Sequence, residues 1–180
     1  MKLLILSLIM SLNVGAKTMK KEIATLAGGC FWGMEEIIRN IPGVLGTEVG
    51  YTGGSIDNPT YNIVKLGTSN HAESIQVEFD SSKISYAELL GYFFRMHDPT
   101  TVNQQGNDKG TQYRSAIFFH SPEQEKTAHE VIKKIEATKK WPKPIVTQLI
   151  PVSKFYKAED YHQDYLKKNP GGYTCHWLRN

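Results

Sequence analysis

Residues 22–39, EIATLAGGCFWGMEEIIR, combine a short strand pattern, a glycine pair and a helical run that begins with a cysteine. Residues 22–27 have the composition of a β-strand, and Gly28 and Gly29 allow the backbone to turn tightly off that strand. Residues 30–39 are predicted to continue as a helix, which places Cys30 near its N-terminus. Free backbone N–H groups at such an end favour a thiolate over a thiol.

The helix end alone does not make Cys30 a strong nucleophile. Its contribution is about 0.3–1 kcal/mol, less than the ~1.4 kcal/mol that corresponds to one pKa unit. A thiol that starts from a pKa of about 8.5 therefore stays largely protonated at neutral pH. A second group is required, either a base that takes the proton or an acid that activates the substrate.

Further strands and helices are predicted outside this stretch. Helices begin after Ser85 and Ser121, and another covers residues 159–168. Glu88 and Gln124 stand three residues after the two serines, a spacing that is typical of a capping box. Short segments rich in β-branched or aromatic residues predict strands at 44–51, 73–79, 116–120 and 145–152. This order of elements favours an α+β fold in which helices cover a mixed sheet.

Two long loops, 52–70 and 98–115, separate some of these elements. Both are rich in glycine, asparagine and hydroxyl side chains, and each contains tyrosine. Loops of this length inside a compact domain are usually functional or disordered, and aromatic residues argue against disorder. We therefore interpret both as functional loops.

The first 16 residues have the pattern of a secretory signal peptide. Lys2 precedes a short apolar run at 3–10, and small residues at 14–16 suit signal peptidase. We expect residues 1–16 to be the signal and 17–180 to form one domain of an exported, periplasmic protein. An apolar first strand or an uncleaved anchor is the alternative. No other long apolar run follows, so we expect no stable membrane association.

Composition and motif spacing exclude several classes of function. The net charge is only +3, and the lysine pairs are spread along the chain without clustered arginine or interleaved aromatic residues. This pattern is not typical of a nucleic-acid surface. No CxxC or HExxH motif is present, so we expect neither a metal site nor a cofactor.

The two cysteines allow more than one interpretation. In an exported protein an even pair commonly forms a structural disulfide. Cys175, however, lies near the C-terminus after Gly171 and Gly172, where we expect a mobile backbone. That position favours a bond that is repeatedly made and broken with Cys30. A cysteine peptidase stays possible, although no histidine carries a protease-like signature.

Eight motifs in a fixed order resemble one known family, the peptide-methionine sulfoxide reductases of the A type. The resemblance covers the chain from about residue 26 to its C-terminus, and the motifs are GCFWGMEE, GYTGG followed by NPTY, GTSNHAES, HDPT, QGNDKGTQYRSAIF, SPEQ, AEDYHQDYL and NPGGYTCH. Members of this family act on the S epimer of methionine sulfoxide. The resemblance implies a two-layer sandwich with a ferredoxin-like core.

The resemblance also implies the catalytic residues. By the family's motifs, Cys30 is the nucleophile, Glu73 is the acid that protonates the sulfoxide oxygen, and Cys175 is the resolving cysteine. A carboxyl that is buried among aromatic residues has a raised pKa, so Glu73 is expected to hold a proton near neutrality. The chain ends at Asn180 without the further cysteine that some members carry. A cycle that uses two cysteines is therefore implied.

Five further residues are implied to bind the substrate. Two form an apolar wall for the methyl group, two donate hydroxyl hydrogen bonds, and one acidic residue mainly orders its loop; they are Phe31 and Trp32, Tyr61 and Tyr113, and Asp108. Without the resemblance, these residues would be interpreted as packing aromatics and a turn former. His71, His97 and His162 are interpreted as structural or surface groups.

The implied activity is a repair oxidoreductase for methionine S-sulfoxide, both in proteins and as the free amino acid. Cys30 becomes a sulfenic acid, condenses with Cys175 to a disulfide, and is recycled by a thioredoxin-like dithiol. We expect a monomer that acts in repair of oxidative damage. The alternative is a non-catalytic module that binds oxidised methionine and holds a permanent disulfide. General thiol-disulfide exchange ranks last, because the CxxC spacing is absent.

Overall fold

The computed structural model describes residues 18–180, so the predicted signal peptide at 1–16 lies outside the described residues. In this part of the chain no helix is long and apolar enough to cross a membrane. The helices and strands in chain order are β1 Lys21–Gly28, α1 Phe31–Ile38, β2 Val44–Thr52, α2 Tyr61–Val64, β3 Ala72–Asp80, α3 Tyr86–Met96, β4 Gln104–Gln105, β5 Asp108–Lys109, β6 Ser115–Phe119, α4 Pro122–Ala137, β7 Gln148–Pro151, β8 Tyr156–Lys157 and α5 Tyr165–Lys168. A 3-10 turn at Thr111–Tyr113 lies between β5 and β6.

The main sheet has six strands in the order β7-β6-β1-β3-β2-β8. All neighbouring strands from β6 to β8 pair antiparallel, whereas β6 and β7 run parallel, so the sheet is mixed. The elements β1, α1, β2, β3, α3 and β6 follow the split βαβ arrangement, with β6, β1, β3 and β2 side by side. The predicted α+β class and ferredoxin-like core are confirmed.

The larger hydrophobic core lies between one face of the sheet and the helices. Along β3, Ile75, Val77 and Phe79 point to this face and are fully buried, as the two-residue period of a strand requires. Helices α1 and α3 cover β1 to β3, and α4 packs beside α3 and against β6. A smaller apolar cluster around Ala27 and Phe118 lies apart from this core. The helices and the sheet thus form two layers.

The two predicted helix caps differ in completeness. Ser85 and Glu88 form the full capping box at the start of α3, with both reciprocal hydrogen bonds. At α4, Ser121 Oγ accepts from the Gln124 backbone N–H, but the Gln124 side chain does not reach back to Ser121. It accepts from the backbone N–H of His120 instead and donates to a carbonyl of β1. Gln124 therefore ties α4 to the sheet.

Several predicted boundaries are corrected by the structure. The helix expected at 159–168 is only the single turn α5, because residues 159–164 form turns and Asp164 has a left-handed backbone with φ of 54°. The strand expected at 145–152 is the shorter β7, and β8 was not predicted. The two long loops contain short elements, namely α2 in the first and β4, β5 and the 3-10 turn in the second.

Candidate active site

The turn between β1 and α1 places Cys30 in a buried position at the head of the helix. Gly29 has a φ of 107°, a backbone conformation that side chains disfavour, and a Cβ at this position would lie 2.7 Å from the side chain of Gln105. Both the backbone conformation and the lack of space therefore require glycine. Cys30 is the N-cap residue of α1 and is only 6% exposed. Cys30 therefore lies at the helix N-terminus, as predicted, but it is the capping residue before Phe31 and not the first helical residue.

Glu73 lies directly beside this helix end. It is the second residue of β3, which runs antiparallel to β1 and begins beside the strand end that leads to Cys30. Its Oε2 accepts a hydrogen bond of 3.2 Å from the backbone N–H of Phe31. The side chain is buried, and this desolvation raises the pKa of Glu73 to about 8, although the Phe31 hydrogen bond acts to lower it. The carboxyl is largely protonated at neutral pH.

The Cys30 thiol is also protonated in the resting protein. Burial raises its pKa, and the negative charge of an ionised Glu73 would raise it further. The backbone N–H of Trp32 acts in the opposite direction, without forming a capping hydrogen bond. The effect expected from the helix N-terminus is present but is outweighed by desolvation. Both Cys30 and Glu73 are therefore uncharged at neutral pH.

A small cavity of about 110 Å³ joins these two groups to the long loops. Its lining consists of one thiol, two acidic residues and five aromatic residues, namely Cys30, Phe31, Trp32, Tyr61, Glu73, Asp108, Tyr113 and Tyr173. All but one of these were predicted as site residues from the sequence. Tyr173 was missed, although it stands two residues before Cys175 in the NPGGYTCH motif.

Two tyrosine hydroxyls converge on the cavity from different loops. Tyr61 begins α2 in the first loop, and Tyr113 ends the 3-10 turn in the second. Burial is the main cause that raises the pKa of both hydroxyls, and the charge of Glu73 adds to it. Both hydroxyls are therefore protonated at neutral pH and can donate hydrogen bonds to a ligand.

The apolar side of the cavity is held rigidly by groups from the C-terminal segment. The Trp32 ring stacks on Tyr165, with 3.7 Å between ring centroids, and its Nε1–H donates to Nδ1 of His162 at 3.0 Å. His162 is buried and also packs against Phe31. His162 is thus a buried structural group, as one of the two interpretations had it, and its ring fixes the orientation of Trp32. No spacing signal in the sequence links residues that are 130 positions apart.

Polar anchors hold this C-terminal segment against α1 and β2. Glu35 is buried on α1 and accepts the backbone N–H of Asp164 at 2.8 Å, which supports the left-handed turn that precedes α5. Glu159 accepts hydrogen bonds of 2.9 Å from the Tyr51 hydroxyl and from the backbone N–H of Tyr61. The segment after β8 therefore positions both the apolar wall and one hydroxyl donor.

The C-terminal tail that carries Cys175 is docked rather than loose. Nε2 of His176 donates to the Gly28 carbonyl at 2.8 Å, and the backbone N–H of Arg179 donates to the Arg95 carbonyl at 3.0 Å. The mobility expected from the glycine pair is therefore not seen at these residues. Cys175 is half-buried, and it and Cys30 are both free thiols in this structure.

Asp108 connects the tail to the cavity. It lies in the hairpin of β4 and β5, and its Oδ2 accepts a hydrogen bond of 3.1 Å from the Tyr173 hydroxyl. The same carboxylate reaches the thiol of Cys175; burial first, and then Asp108, raise the pKa of that thiol to about 12. Asp108 was expected mainly to order its loop, and it also holds the tail over the cavity.

Comparison with known proteins assigns this arrangement to a family. The family model of peptide methionine sulfoxide reductase matches residues 22–180. The chain belongs to the peptide methionine sulfoxide reductase family. It is 52% identical over 158 residues to peptide methionine sulfoxide reductase MsrA 2 of Rhodopirellula baltica, an alignment that covers 88% of this chain and 92% of that protein.

Solved structures of this family agree with the fold. The reduced form of Mxr1 from Saccharomyces cerevisiae is similar to this chain with a TM-score of 0.84 and 43% identity, over 89% of this chain and 93% of that one. Mxr1 in complex with Trx2 is similar with a TM-score of 0.60 and 30% identity, over 89% and 91%. The resemblance to the family drawn from the eight motifs is confirmed.

The charged groups near the site do not form a metal centre. Across residues 18–180 no cluster of three or more histidine, cysteine, aspartate or glutamate side chains is arranged to hold a metal ion. The only acidic residues that line the cavity are Glu73 and Asp108.

The buried carboxyl makes the stability of this family member depend on pH. Glu73 binds a proton in the folded protein up to about pH 8, whereas the unfolded chain releases it near 4.5. Its contribution is therefore fully present below about pH 4.5 and is lost as the pH rises towards 8, by at most about 1.4 kcal/mol per pH unit. We expect Glu73→Gln to remove this part of the dependence.

Urea unfolding at several pH values between 5 and 8 measures this effect. The wild type should lose more stability across that range than Glu73→Gln does. Parallel curves for the two proteins would mean that Glu73 is ionised in the folded state.

Proposed function

We propose that this protein is a peptide-methionine (S)-S-oxide reductase that converts methionine S-sulfoxide, in proteins and as the free amino acid, to methionine. The observation that carries the proposal is the pairing of a buried thiol, Cys30, with a protonated buried carboxyl, Glu73, in one small cavity. The family membership supports the same reaction. In this proposal the protein repairs methionine residues that have been damaged by oxidation.

The cavity matches both the methyl group and the oxygen of a methyl sulfoxide. The aromatic rings of Phe31 and Trp32 offer an apolar surface to the methyl group. The sulfoxide oxygen is a strong acceptor, and the protonated groups that can donate to it are the carboxyl of Glu73 and the hydroxyls of Tyr61 and Tyr113. Donors placed around a developing O–H bond stabilise it more than the starting sulfoxide.

The first step transfers the oxygen from one sulfur to another. Glu73 donates its proton to the sulfoxide oxygen, which makes the substrate sulfur electrophilic, and Cys30 Sγ attacks with loss of its own proton to Glu73. The substrate S–O bond and the transient bond between the two sulfurs then break as a new S–O bond forms on Cys30, so that methionine leaves as the thioether and the protonated oxygen remains on Cys30 as a sulfenic acid. Glu73 ends the step protonated, as it began.

The second step passes the oxidation to Cys175. The thiol of Cys175 attacks the Cys30 sulfenic acid, a disulfide forms, and water leaves. The docked tail supports this step, because the sulfur of Cys175 lies close enough to the backbone N–H of Cys30 for that group to lower its pKa. A thioredoxin-like dithiol then reduces the disulfide. The solved complex of Mxr1 with Trx2 supports this class of partner.

The binding-module alternative has no specific support. It requires a permanent disulfide, whereas the proximity of Cys30 and Cys175 suits equally the reversible disulfide of the reductase cycle, which the family membership favours. We also propose that the domain acts as a monomer after export to the periplasm. The pattern of residues 1–16 supports export.

Cleavage of the predicted signal has a direct test. We expect the exported protein to begin at Lys17, because residues 14–16 present small side chains to the peptidase. N-terminal sequencing of protein purified from the periplasm checks this. Recovery of the intact N-terminus from the cytoplasm would contradict the proposed location.

Substitution of Glu73 tests its role as the acid. We expect Glu73→Gln and Glu73→Ala to slow methionine release in a single turnover about 10²–10⁴-fold, the usual size of a general-acid effect. In the wild type the rate should fall above about pH 8, where the carboxyl loses its proton. Rapid quench with chromatographic detection of methionine measures both. Wild-type rates in both variants would remove Glu73 as the acid.

Substitution of Cys175 separates the two half-reactions. Cys175→Ser should release about one equivalent of methionine per protein and then stop cycling with thioredoxin, because no intramolecular disulfide can form. An assay of methionine formed per protein, with and without thioredoxin, is sufficient. Sustained thioredoxin-dependent turnover in this variant would contradict the assignment of Cys175.

A further inference from the structure

The imidazole of His176 is buried and contacts the sulfur of Cys175. Its Nδ1 lies 3.5 Å from Sγ of Cys175, and its Nε2 lies 2.8 Å from the carbonyl oxygen of Gly28. The residue is only 6% exposed. None of the roles described above uses this ring for chemistry.

The hydrogen bond to Gly28 fixes the tautomer of the ring. A carbonyl oxygen can only accept, so Nε2 of His176 carries the proton and donates it. In the neutral ring Nδ1 is then a lone pair, and it faces the thiol of Cys175. Burial lowers the pKa of His176 to about 4, so the ring is neutral at physiological pH. The thiol therefore has a vacant proton acceptor within reach.

Close packing holds the ring in this orientation. A Cβ at Gly33 would lie 2.6 Å from Nδ1 of His176, and one at Gly29 would lie 3.2 Å from its Cε1, so the imidazole rests on the glycine backbone of the active-site turn. The hydroxyl of Thr174 accepts the backbone N–H of His176 at 3.1 Å. The segment around Cys30, which contains Gly29 and Gly33, thus also positions the His176 ring.

We propose that His176 is the general base of the second step, which takes the proton from the Cys175 thiol as that sulfur attacks the Cys30 sulfenic acid. The inference rests on the proposed function. The S–S bond forms, the S–O bond of Cys30 breaks, and the oxygen leaves as water. One of its protons was already on the sulfenic acid, and the other comes from Cys175 by way of Nδ1 of His176.

The thiol needs such assistance because it does not ionise by itself at neutral pH. Burial and the neighbouring Asp108 raise the pKa of Cys175 to about 12. Asp108 also favours the imidazolium form of His176, whereas Arg179 disfavours it, and the neighbouring His97 is neutral because burial lowers its pKa to about 3. Asp108 is the competing acceptor for the thiol proton, although its Oδ2 already accepts from Tyr173.

The test compares His176→Gln with the wild type in a single turnover. The glutamine amide can still donate to the Gly28 carbonyl, but it is not a base. At pH 7 we expect the Cys30 sulfenic acid, trapped with dimedone and quantified by mass spectrometry, to disappear about 100-fold more slowly than in the wild type. Between pH 7 and 9 the rate in the variant should rise about tenfold per unit, as the thiolate fraction of Cys175 grows.

Thr174→Ala is the matched control, because it removes a contact of the docked tail and keeps the imidazole. If sulfenic acid loss is slower in Thr174→Ala than in the wild type, the ratio of the two rates should be the same at every pH between 7 and 9. An effect of His176→Gln that shares this pH independence would show a structural role and overturn the proposal. Decay within twofold of the wild type would overturn it as well.

Failure of the proposed function gives a different result in the same experiment. A wild type that releases no methionine and forms no sulfenic acid overturns the reductase and, with it, the role of His176. Normal methionine release with unchanged sulfenic acid decay in His176→Gln overturns only the second inference.

Discussion

The contact between the Glu73 carboxyl and the head of α1 is the constraint on which the site depends. Because β1 and β3 are antiparallel neighbours, the end of β1 and the start of β3 meet at the same edge of the sheet. The turn at Gly28 and Gly29 then brings the backbone N–H of Phe31 onto Oε2 of Glu73. One hydrogen bond thus joins the acid to the residue that follows Cys30, in a place with little access to water.

Desolvation at this contact explains why the Glu73 carboxyl and the Cys30 thiol are both protonated at rest. A helix end favours negative charge by a fraction of a pKa unit, whereas full burial of a carboxyl or a thiol raises its pKa by several units. The Glu73 carboxyl and the Cys30 thiol are therefore both neutral at rest and do not repel each other. A substrate that accepts a strong hydrogen bond can then receive a proton and be attacked by sulfur within the same step.

The C-terminal segment closes the site from outside the ferredoxin-like core. It has little regular structure, and its position is set by polar contacts from Glu35 and Glu159 and by the packing of His176 on Gly33. These contacts position Trp32, Tyr61 and Cys175 around the turn that follows β1. That turn lies more than 100 positions before the C-terminal segment in the chain. A segment held by side chains rather than by a sheet ladder can be displaced locally without unfolding the core.

The sequence by itself determined the strand-turn-helix around Cys30, the α+β class, the capping of α3 and, through its ordered motifs, seven of the eight residues that line the cavity. Those features follow from local spacing, turn chemistry and resemblance. Only the tertiary structure decided that residues 159–164 form turns rather than helix, that the tail docks, and that Tyr173 and His162 belong to the site. The physical reason is that these outcomes depend on contacts between distant residues, such as Trp32 with His162, whose partners no local pattern identifies.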